Sequence, residues 1–97
     1  MLKDKILTLT GLILLTISII VNFLDSLVSL IIFLIGSIII LAGIIGSEYK
    51  KEIKGFYGFL VIAGTLILMY EIVEPVNSLI IYTLLIPLII GFIFVKN

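Results

Sequence analysis

Residues 47–55 read SEYKKEIKG, the one stretch of this chain long enough and polar enough to sit wholly in water. It carries Lys50, Lys51 and Lys54, half of the six cationic side chains in the protein. On either side lies an almost unbroken apolar run, and the two sides are nearly equal in length. Read outward from this loop, the charges cut the chain into four uncharged stretches, 6–24, 26–47, 55–70 and 75–95. A helix that crosses the ~30 Å hydrocarbon layer needs about 20 mostly apolar residues. The first, second and fourth stretches meet that directly. The third spans only if it continues through Glu71 to Val73, which puts Glu71 within about one turn of the membrane surface.

Composition points the same way. Of 97 residues, 63% are hydrophobic and 12% charged, against roughly 45–50% and 25% in soluble domains. A water-soluble chain this short cannot bury so much apolar surface, so the surplus faces lipid. The stretches do not alternate as barrel strands do, and four strands cannot close a barrel, whereas helices satisfy their own backbone in lipid. The expected fold is therefore an all-α membrane protein, one domain over 1–97. Its four transmembrane helices, at about 6–24, 27–46, 55–73 and 79–95, form two antiparallel helical hairpins. Lys3 and Lys5 ahead of an apolar stretch resemble a signal peptide, but 6–24 exceeds the usual apolar core of 7–15 residues and no small-residue cleavage site follows, so it reads as a retained span.

Local signals set the expected ends. Asp25 and Ser26 make a tight turn, with Ser26 capping the second helix. Gly46 and Ser47 end it. Pro75 forces a turn over 74–77, and Asn77 or Ser78 caps the fourth helix. Pro87 should kink that helix near its middle and free the carbonyl near Thr83. All six lysines fall on one side of this arrangement, while the other side holds only Asp25, Glu71 and Glu74. By the positive-inside rule both termini and the central loop are cytoplasmic. The expected location is the plasma membrane of a prokaryote.

Sliding the chain by 49 residues pairs Lys5 with Lys54, Thr16 with Thr65, Asn22 with Glu71, Asp25 with Glu74, and the run 29–32 with 78–81. That is what a parallel internal repeat would give. Chance identities are also frequent in a chain so rich in Ile and Leu, so duplication and coincidence both stay open.

Two helix faces carry small or polar residues. On the second helix Ser29, Gly36, Gly43 and Ser47 share one face, and Ala42 and Gly46 form a neighbouring small pair. Such faces let backbones approach closely in lipid, either within this bundle or against another subunit. On the first helix Thr8, Gly11, Ser18, Asn22 and Asp25 form a weakly polar stripe, suited to interhelical hydrogen bonds or a hydrated pathway. Asn22, Asp25, Glu71 and Glu74 could together offer oxygens to a hard cation or serve a polar pathway; the same residues are what any solvated helix end would show.

The chain has no Arg, His, Cys or Trp. No thiolate chemistry, haem, iron–sulfur cluster or usual zinc site can be built, and neither a cofactor nor a metal is expected. No phosphate loop, dinucleotide fingerprint or metalloprotease motif occurs, and nothing in a net charge of zero suggests nucleic acid. In size and span number the chain resembles the small multidrug resistance transporters. The glutamate those carry in their first helix has no counterpart in 6–24, so no family follows. The expected function is a non-catalytic small integral-membrane accessory or scaffold subunit, in contact with lipid and with larger membrane partners or further copies of itself. The alternative is a small self-associating transporter or channel. A surface adaptor using Lys50, Lys51 and Lys54 is weakened by the interleaved Glu48 and Glu52.

Overall fold

The computed structural model describes residues 2–45, 49–74 and 78–96. Among them it contains only helices: α1 (Leu2–Val21), α2 (Ser26–Ile44), α3 (Lys51–Val73), α4 (Ser78–Thr83) and α5 (Leu85–Lys96). The last two are halves of one helical segment, broken at Leu84. Three helices are long and apolar enough to cross a membrane, covering Lys3–Val21, Ser26–Ile44 and Lys51–Val73, and a shorter apolar segment follows at Leu79–Val95.

The ends differ from the sequence expectation in an orderly way. α1 begins at Leu2 rather than residue 6, and α3 at Lys51 rather than Gly55. Charged side chains mark where hydrocarbon stops, not where a helix stops. Asp4 and Glu52 sit in the first turns of α1 and α3, where the exposed amides favour negative charge. The polar loop is correspondingly shorter, since Lys51 and Lys54 belong to α3. The cap of α2 is Asp25, not Ser26. The Asp25 carboxylate accepts from the amides of Leu27 and Val28 at 2.9 and 3.3 Å, because a carboxylate accepts more strongly than a hydroxyl at the positive end of a helix. α2 ends at Ile44, two residues before the expected Gly46; Gly46 and Ser47 lie outside the described residues. So do Pro75, Val76 and Asn77, where the second turn is expected, while Ser78 already opens α4.

The break in the fourth segment has a covalent cause. Pro87 has no N–H, so the Thr83 carbonyl loses its partner four residues on. The chain tightens there, and the Leu84 amide donates to Ile81 O at 3.1 Å, three residues back.

α1 packs on α2 and α5, and α3 packs on the same two elements, which closes a four-cornered bundle with α1 and α3 on the diagonal. The bundle measures 39 × 19 × 17 Å. Its centre is filled by Leu12, Leu15, Ile19, Phe33, Ile40, Tyr57, Leu60, Leu68, Ile81 and Leu88, all essentially inaccessible. Five of the six buried positions on α1 (Thr8, Gly11, Leu12, Leu15, Ile19) recur 49 residues later on α3 (Tyr57, Leu60, Val61, Gly64, Leu68); the sixth, Ser18, corresponds to the half-buried Ile67. On the other diagonal a spacing of 48 matches Phe33, Gly36, Ile40 and Gly43 to Ile81, Leu84, Leu88 and Gly91, whereas buried Ser37 and Ile44 fall on the half-buried Leu85 and Phe92. Large apolar side chains stay exposed on every face, among them Ile13, Ile17, Ile31, Ile38, Phe59, Ile62, Leu66, Ile86 and Ile93.

Candidate functional site

The two small-residue stripes turn out to be the two sides of one interface. α1 and α2 run antiparallel along it. A Cβ added at Gly43 would meet Thr8 Oγ1 at 2.8 Å and Thr8 N at 3.0 Å. One added at Gly11 would lie 2.8 Å from Gly36 O, and one at Gly36 would lie 3.0 Å from Gly11 O. Further along, Ser29 Oγ donates to Ser18 O at 2.7 Å. The glycines let backbone meet backbone where any side chain would hold the helices apart. The hydroxyls on these faces are all occupied: Thr8 donates to Asp4 O, Ser18 to Leu15 O and Ser37 to Phe33 O. Ser29, Gly36 and Gly43 are therefore buried against α1, whereas Ala42 is exposed on the outside of α2.

Two contacts of the same kind escaped the sequence reading. Phe33 of α2 lies over Gly64 of α3, where a Cβ would overlap the ring. Tyr57 of α3 donates its hydroxyl to Gly91 O of α5 at 2.6 Å, and its ring, with Leu12, lies over Gly91. Gly64 sits between Ala63 and Thr65, a run of small residues that could have signalled a close approach; nothing local marks Gly91 as a partner of Tyr57.

Side-chain contacts also define two ends. At one, Tyr57 meets Gly91, Phe56 packs edge-on to Phe94 with ring centroids 5.2 Å apart, and Tyr49 lies 6.5 Å from Tyr57. This end gathers the N-termini of α1 and α3 and the C-terminus of α5, hence Lys3, Lys5, Lys50, Lys51, Lys54 and Lys96. At the opposite end Phe23 packs on Tyr82 at 5.1 Å, and Asn22 Nδ2 donates to Glu71 Oε1 at 3.1 Å.

The four oxygen-bearing residues expected at that second end divide into two pairs. Asn22, the first residue beyond α1, bonds to Glu71 of α3 across the bundle, and each keeps one buried oxygen, Oδ1 and Oε2, with no hydrogen-bond partner. Asp25 and Glu74 are exposed and engaged locally, Asp25 with the α2 amides and Glu74 with the Tyr70 hydroxyl at 3.1 Å. Among the described residues no three acidic, His or Cys side chains gather as a ligand set. Pro87, half-buried on α5, lies three residues beyond the helix break. Comparison with known proteins found no matching family model, no matching curated protein and no matching solved structure.

Proposed function

We propose that this chain is a four-span integral membrane protein, built as two antiparallel hairpins, that acts without catalysis as a small accessory or scaffold subunit among larger membrane proteins. The observation that carries the reading is the outer surface. It is largely apolar along the helices, Thr8, Ser18, Ser29 and Ser37 are turned inward, the exposed hydroxyls of Thr10 and Thr83 bond back to their own helices, and the charges lie toward the two ends. Such a surface is suited to lipid and to the flanks of other membrane helices. Because Ser29, Gly36 and Gly43 are already covered by α1, a partner would contact the outer faces, including the one that carries Ala42. The lysine-rich end, with both termini, faces the cytoplasm of a prokaryotic cell in this reading. The 49-residue recurrence of buried positions along one diagonal favours descent from a duplicated hairpin.

The test is purification in mild detergent followed by native mass spectrometry. Stable complexes with other membrane proteins, or defined oligomers, are expected; recovery only as a lone monomer overturns the role. A second reading, a self-associating transporter, draws on the buried Asn22–Glu71 pair and the broken fourth segment. Liposomes containing this chain alone would then show solute or ion flux, and the absence of both flux and self-association rules that reading out.

A further inference from the structure

Along the chain Glu52 interrupts the lysines, but α3 begins at Lys51, so helical geometry decides which of these charges are neighbours. At about 100° per residue, Lys51 and Lys54 project about 60° apart, while Glu52 lies about 100° from Lys51 and about 160° from Lys54. The two ammonium groups therefore share a side of α3 that the carboxylate does not. On α1 the spacing gives the opposite result, because Lys3 and Lys5 are two residues apart and project about 160° from each other. Gly58, Ile62, Thr65 and Met69 continue the side of Lys51 and Lys54 inward along α3, at steps of three or four residues. This side is open: nothing lies within 4 Å of a Cβ added at Gly58, and Ile62 and Met69 are exposed. From Lys54 to Thr65 the helix rises about 16 Å, roughly half of the ~30 Å hydrocarbon layer and so the depth of one lipid leaflet.

We propose that this side of α3 seats an anionic phospholipid, with its phosphate at Lys51 and Lys54 and an acyl chain along Gly58, Ile62 and Met69. The occupant follows from the order of groups. Paired cations at the helix end call for an anion, and the open apolar side below them calls for hydrocarbon. A soluble anion matches only the lysines, and a wholly apolar helix matches only the part below them. An anionic lipid carries both, in this order and over this length. Lysines near a membrane surface attract anionic lipid, and each supplies about fivefold in association. Gly58 adds room, since it has no side chain to hold the lipid off the helix backbone. The site rests on the reading that α3 crosses a bilayer, and it is independent of the accessory role and of which end faces the cytoplasm.

The chain has no tryptophan, so Ile62→Trp on α3 and Ile13→Trp on α1, both at exposed positions, report the lipid beside each helix. The full chain is placed in phosphatidylcholine vesicles doped with a small fraction of brominated lipid, whose bromines quench tryptophan fluorescence. At Ile62→Trp, brominated phosphatidylglycerol is expected to be favoured over brominated phosphatidylcholine by about fivefold or more; at Ile13→Trp the preference is smaller. Lys51→Gln with Lys54→Gln, added to Ile62→Trp, brings the ratio close to one, whereas Lys3→Gln with Lys5→Gln leaves it. An equal preference at both reporters, or one that survives the loss of Lys51 and Lys54, is the diffuse field of all the lysines and overturns the site. A preference abolished by glycerol phosphate, but not by chloride of the same ionic strength, assigns the lysines to a soluble phosphate and also overturns it. Ile62→Trp shielded from both lipids while Ile13→Trp is quenched means that another protein chain covers α3, which overturns it as well. Quenching at both reporters with no preference removes the site alone. Quenching at neither places the chain outside the bilayer, and the four-span reading falls together with the site.

Discussion

A Cβ placed on Gly36 would lie 3.0 Å from both Gly11 O and Leu14 Cβ, and neither backbone nor a β-carbon can move without moving its helix. Gly36→Val should therefore force α1 and α2 apart and destabilise the bundle by about 1–3 kcal/mol, as overpacking does elsewhere. Gly58 is the internal control. It lies on α3 with nothing within 4 Å of an added Cβ, so Gly58→Ala gains helix propensity without a clash and should be neutral or slightly stabilising. Thermal unfolding of the two variants in one detergent compares them directly; equal losses would mean that α1 and α2 do not meet at Gly36. Tyr57 gives a milder case. Tyr57→Phe keeps the ring against Leu12 and Gly91 but removes the 2.6 Å bond to Gly91 O, a loss of about 0.5–1.5 kcal/mol.

At the level of elements, the fourth segment shows how one covalent feature sets local stability. If the missing N–H of Pro87 opens the chain at Leu84, Pro87→Ala restores a donor for Thr83 O and joins α4 to α5. Hydrogen–deuterium exchange over 84–88 should slow in that variant; unchanged exchange would place the cause of the break elsewhere. The same segment shows what could be read from the chain beforehand. That four helical segments exist, and that Pro87 disturbs the last, follows from apolar length and one residue type. Their ends were less legible. Lys51, Glu52 and Lys54 read as loop because they are charged, yet a helix can carry charge as soon as it leaves hydrocarbon, and α3 begins among them. The Gly11–Gly36–Gly43 seam was visible only as two separate stripes, because spacing gives the face of a helix and not its partner. Depth and the shared i, i+3 spacing group Asn22 and Glu71 with Asp25 and Glu74 in the sequence. Which of the four meet depends on the diagonal packing of α1 and α3, and no local pattern encodes that.

Across the whole molecule, the contacts place all six lysines at one end and Asp25, Glu71 and Glu74 at the other. In a membrane this segregation dictates orientation, because lysines near span ends resist translocation while acidic residues add little. Ser26 and Asn77 should then face the exterior, and Lys51 the cytoplasm. The protein has no cysteine, so single cysteines at Ser26, Asn77 or Lys51 report each position without background. In intact cells a membrane-impermeant thiol reagent should label the first two and spare the third. Labelling at Lys51 with protection of both others would invert the orientation. Labelling at Ser26 but not Asn77 would mean that α3 fails to cross. α3 is the critical element in this experiment, because its 23 residues include Lys51, Glu52 and Lys54 at one end and Glu71 at the other. Its uncharged stretch, 55–70, is 16 residues, or about 24 Å of helix at 1.5 Å per residue, short of the ~30 Å layer. Crossing therefore requires Glu71 to enter the membrane boundary. There Asn22 is already bonded to it, so Glu71 reaches that depth with a hydrogen-bond partner supplied from just beyond the C-terminus of α1.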